Sequence, residues 1–152
     1  MRGKHIGVTA LTAGALTLVT AGALTLATAG TAEASRRCGP TSKTDGVGSL
    51  GTSWTLKSMH DDDGPGGTFV VGEEFEIATQ VANQVWTITF ADNGLVFFTA
   101  DDTSTVTGIR EVHPTANQPG TNQHMTVHAV NHTTGEVIDG AVDVAPVPAC
   151  GG

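Results

Sequence analysis

Between residues 50 and 145 apolar and polar side chains alternate with a period of two, the pattern of strands that bury one face and wet the other. Leu50, Trp54 and Leu56 share one side of segment 50–59, with Ser53, Thr55 and Lys57 on the other. His60-Asp61-Asp62-Asp63-Gly64-Pro65-Gly66-Gly67 then reads as a turn. Alternation resumes over 68–79, interrupted near Gly72, with Phe75 and Ile77 inward and Glu74 and Glu76 outward. Segment 85–91 has the cleanest inward face, Trp86, Ile88 and Phe90. Asp92-Asn93-Gly94, followed at once by Leu95-Val96-Phe97-Phe98, predicts a tight hairpin, because Asn-Gly tolerates the positive φ that a two-residue turn demands. After a loop at Asp101-Asp102, strands are expected over 103–112, 123–130 (Met125, Val127 and Ala129 inward) and 136–144 (Ile138, Val142 and Val144 inward). The stretch 114–122 reads as a loop, and Pro146 and Pro148 end the pairing.

No long window keeps a helical period, so the expected fold class is all-β. About seven short strands, with a tryptophan on the third, predict one antiparallel two-sheet sandwich of immunoglobulin-like architecture. A small β-barrel is the alternative. Two antibody hallmarks are missing, since no cysteine falls on the second or sixth strand and the chain has no tyrosine. The predicted core is Trp54, Leu56, Phe75, Ile77, Trp86, Ile88, Phe90 and Val127. The domain itself spans 50–145, flanked by a segment 35–49 carrying Cys38 and a tail 146–152 carrying Cys150.

The residues before this domain change the setting. Arg2 and Lys4 precede a run of apolar and small residues over 8–29, and Thr31-Ala32-Glu33-Ala34 ends in an A-x-A cleavage pattern; residues 1–34 are therefore expected to be a signal peptide, removed on export, and the protein secreted. Outside the cell the two cysteines, Cys38 and Cys150, are expected to pair and staple the two ends of the domain. Without the leader the chain carries 5 Lys and Arg against 14 Asp and Glu, a formal charge of −9. That sign argues against nucleic acid and against anionic membrane surfaces as partners.

The words Cys38, Ser53-Trp54-Thr55-Leu56-Lys57, Glu74-Phe75-Glu76-Ile77, Trp86 leading to Asp92-Asn93-Gly94, and Thr134-Gly135-Glu136-Val137 before Gly140 resemble those of a group of small secreted actinobacterial β-sandwich proteins of unassigned function. The resemblance covers nearly the whole chain after the leader, and it implies localisation and fold without an activity. In that group a second cysteine often follows the Gly-Glu-Val turn; Ile138 stands there in this chain.

Candidate chemistry is sparse. Asp61, Asp62 and Asp63, joined by Asp101 and Asp102, cluster the oxygens that a hard cation needs, without the ordered spacing of a calcium loop. His124, His128 and His132 recur every fourth residue, which on a strand sets neighbours about 13 Å apart, too far to share one ion. No G-x-S-x-G elbow is present, and of Glu73, Glu74 and Glu76, which show no sign of a cleft, most read as the wet face of a strand. Asn131-His132-Thr133 matches a glycosylation acceptor in form only. The expectation is a non-enzymatic exported binding or interaction module without a cofactor. Its partner would be a secreted protein, a cell-wall polymer or a sugar, met through the loops at 59–67, 101–104 and 114–122 or an exposed Leu95/Phe97 pair. The alternatives are a secreted hydrolase inhibitor and a metal-binding domain using the acidic loop.

Overall fold

The computed structural model describes residues 38–147, and every helix or strand assigned among them is a β-strand. Eight strands follow one another: β1 (Cys38–Val47), β2 (Ser53–Gly64), β3 (Thr68–Ile77), β4 (Val85–Asp92), β5 (Leu95–Thr103), β6 (Ile109–Ala116), β7 (Gln123–Asn131) and β8 (Val137–Val144). They form two antiparallel sheets, ordered β1-β2-β3-β6 and β5-β4-β7-β8. Neither sheet closes on itself, so the architecture is the sandwich and not the barrel. The chain passes between layers after β3, after β5 and after β6.

The alternation of the sequence becomes the interior. Trp54, Leu56, Phe75, Ile77, Trp86, Ile88, Phe90 and Val127 are all buried in one cluster with Val71, Met125, Ala129 and Ile138. Removing each such side chain from water contributes about 1.5 to 3 kcal/mol. Trp54 needs close neighbours: Cβ atoms built on Gly46 of β1 or Gly140 of β8 would overlap its ring. The Asp92-Asn93-Gly94 turn forms as expected, with φ of 50° at Asn93 and 81° at Gly94 and Asp92 paired to Leu95. A bulge follows, because Phe90 pairs with Phe98 but Ala91 with Val96. Both Phe97 and Phe98 consequently pack against Phe90, while Leu95 and Val96 stay in water; the expected Leu95/Phe97 surface pair is split. Phe98 in turn stacks on His113 of β6, ring centroids 3.4 Å apart, joining the layers on that side. On the other side Ser42 Oγ donates to the Asp143 carbonyl at 2.6 Å.

Several sequence expectations need correction. The strands number eight, because most of segment 35–49 forms β1. Leu50 is a loop residue, largely exposed, and not an inward member of β2. Asp61, Asp62 and Asp63 lie on β2, which continues to Gly64 opposite Thr68, and Gly72 pairs normally without a break. Asp101 and Asp102 belong to β5, not to a loop. The chain turns at 104–108, and β6 runs from Ile109 through Pro114 to Ala116, so the following loop is shorter than expected. Pro114 is tolerated because β6 is an edge strand, with one neighbour to bond.

Candidate functional site

Register collects four connections at one end of the sandwich. Val47 pairs with Ser53, Trp54 with Ile77, Ile77 with Ile109, Val85 with Thr103, and Val130 with Val137, so loops 48–52, 78–84, 104–108 and 132–136 all emerge together. Large apolar side chains project there into solvent: Val47 is 67% exposed, Leu50 66%, Val81 55% and Val106 70%. Beside them a pocket of about 540 Å³ is lined by Ile77, Ile109, Glu76, Asp102, Arg110 and the threonines 103, 105 and 107, among others.

Buried polar side chains hold these loops in place. Glu136, nearly inaccessible just before β8, accepts from Thr52 N (2.8 Å), Leu50 N (3.2 Å) and Thr52 Oγ1 (2.6 Å). Ser104 Oγ donates to the Val81 carbonyl at 2.7 Å and accepts from Gln84 N at 3.0 Å, while Thr79 Oγ1 accepts from Val81 N. Asn131 Oδ1 accepts from Thr133 N and Thr134 N. The backbones of Leu50 and Val81 are thus fixed by groups inside the protein while their side chains face out. An apolar group on a fixed backbone loses little freedom when a partner covers it, which favours association.

The opposite end of the interior is polar. Asp92 Oδ2 accepts from Gln123 Nε2 (2.6 Å) and Gln118 Nε2 (2.9 Å), and His60 Nε2 donates to the Ala145 carbonyl at 3.0 Å. Glu73, one of three glutamates of which most were expected on a wet face, is wholly buried, and neither of its oxygens has a hydrogen-bond partner. Burial, helped by the charge of Asp92, pushes its carboxyl up to about 8. Sealed between the layers, it has no access to a substrate. Its parity with Phe75 and Ile77 was the signal for this placement.

The acidic candidates do not assemble. Asp61 pairs with Val70 at one end of β3, whereas Asp102 lines the pocket beside Ile77 at the other, seven residues or about 23 Å away. Asp61 and Asp63 border a dent of about 190 Å³ over Gly72. Among the described residues no three His, Cys, Asp or Glu side chains converge to hold a metal ion. The two histidines of β7 and His132 in the turn after it point outward, each engaged separately: His124 Nδ1 with Asp143 and His128 Nδ1 with Asp139, both at 2.7 Å, and His132 Nε2 with Thr87 Oγ1 at 2.6 Å. Asn131, the formal glycosylation acceptor, is buried. Cys38 is buried at the start of β1; Cys150 and the leader lie outside the described residues. No protein family model, curated protein or solved structure matches the chain. Sequence reading did not single out the loops at 48–52 and 78–84, because their significance rests on contacts with Glu136 and Ser104, 84 to 86 and 20 to 23 residues away.

Proposed function

We propose that this chain is an exported, non-enzymatic interaction module that docks on a secreted protein through the loop end. The observation that carries the reading is the combination of exposed apolar tips at 50 and 81 with backbones braced from within. Blocking a secreted hydrolase would be one form of this function, since inhibition requires a rigid exposed loop. Export after Ala34 and a Cys38–Cys150 disulfide belong to the same proposal. In support, no free cysteine is found among the described residues, and Val147, three residues before Cys150, packs so close to Gly39 that a Cβ there would meet it.

The test is a pull-down from the producer's culture medium with the protein immobilised through its C-terminus, beside a Leu50→Asp/Val106→Asp variant. Both substituted side chains already stand in water, so the variant retains the fold. A secreted protein held by the original and lost by the variant supports the proposal, and loss of that protein's hydrolytic activity on binding supports inhibition. Equal retention by both, or no retained protein, refutes it.

A further inference from the structure

A second surface lies on the outer face of the β5-β4-β7-β8 sheet. Four modest side chains, one per strand, fall in a single row across it: Val96 pairs with Ala91, Ala91 with Thr126 and Thr126 with Ala141. The rows to either side stand taller. Two residues back along β7, His124 faces Asp143; two residues on, His128 faces Asp139 from one side and Thr89 from the other. The low row and the row of Thr89, His128 and Asp139 beside it make an open depression of about 530 Å³ running across the strands. One wall, Thr89, His128 and Asp139, bounds it, and crossing four strands gives it a length of about 14 Å from first strand to last. That length suits a short run of sugar rings in a single chain.

The chemistry of this surface narrows the occupant. Asp139 accepts from His128 Nδ1, which leaves His128 Nε2 facing solvent as a further polar group. The second aspartate oxygen and the Thr89 hydroxyl add acceptors, while Ala91, Ala141 and Val96 put methyl groups on the floor. Backbone groups of β4 and β7 are spent on ladders to neighbouring strands, so a peptide strand finds no main-chain partners there. Exposed Asp139 and Asp143 repel anions. What fits is a linear molecule with hydroxyl donors along its edges, C–H groups on its faces and no negative charge.

We propose that this depression binds an uncharged linear glycan. The surface is separate from the loop end, so either assignment can fail alone. The test is a titration of isotope-labelled protein with cellohexaose, with chitohexaose and with anionic polygalacturonate, followed by amide shifts. At least one neutral hexasaccharide is expected to shift the amides of Ala91, Thr126, His128 and Ala141. The His128→Ala/Asp139→Ala variant should weaken that binding about tenfold or more, and Thr126→Tyr, which fills the floor, should abolish it. Unchanged amides elsewhere in each variant's spectrum verify the fold. Silence from both neutral sugars, shifts confined to other surfaces, indifference to Thr126→Tyr, or preference for polygalacturonate would each overturn the assignment.

Discussion

Glu73 and Glu74 are adjacent and chemically identical, yet the pleat sends one between the sheets and the other toward Lys57 and Arg110. Glu73 is raised from an ordinary 4.5 to about 8 by burial and then by Asp92. Below pH 4.5 it is protonated whether the chain is folded or not. Between 4.5 and 8 the unfolded chain releases this proton while the folded one keeps it, so stability falls as pH rises, by roughly 3 to 5 kcal/mol in all. Glu73→Gln should therefore raise the melting temperature at pH 8 by several degrees and leave it nearly unchanged at pH 4. Identical thermal melts at pH 8 would contradict this. In Glu74 burial also pushes upward, but hydrogen bonds from Lys57 (2.9 Å) and Arg110 (2.9 Å) outweigh it and hold the carboxyl at about 2. Its stabilisation is complete above pH 4.5 and fades as pH falls toward 2. Sequence order alone separated these two residues, since 73, 75 and 77 share a face; a prior that glutamates are wet hid it.

At the scale of elements, the loop end depends on one carboxylate carried by the residue just before β8. Glu136→Ala deprives two backbone amides and a hydroxyl of their acceptor, at a cost of about 2 to 3 kcal/mol. Hydrogen exchange at Leu50 and Thr52 should accelerate far more than at the β4–β7 ladder; equal protection of Leu50 in both proteins would mean that the brace is not needed. Strands that bury a full face, such as β4 and β7, were legible from alternation alone. β1 was not, because it is an edge strand with Gly39, Pro40 and Gly46 and only Cys38 buried. The acidic run hid the last third of β2 for a similar reason: its composition signals a turn, but pairing with β3 continues to Asp61 and again at Gly64. The histidine–aspartate pairs arise from register between β7 and β8, which no spacing within one strand reveals.

For the molecule as a whole, period-two alternation and turn chemistry specify two packed sheets, because only a second layer can cover faces as apolar as that of β4. Which sheet each strand joins is decided by long-range packing and was not readable. The exported protein is expected to begin at Ser35 and to weigh about 2 Da less than its reduced form, both checked by intact mass. Reduction should lower stability by about 4 kcal/mol, since the closed loop spans nearly the whole domain; unchanged denaturant midpoints with and without reductant would count against the staple. Cys38 sits opposite His60, whereas the braced loops begin beside Ser53, about 23 Å along the same strand. Val147 shares the Cys38 pole. Whatever is attached by way of that pole, whether a bead, a neighbouring domain or a wall, leaves Leu50, Val81 and Val106 aimed outward like the bristles of a brush held by its handle.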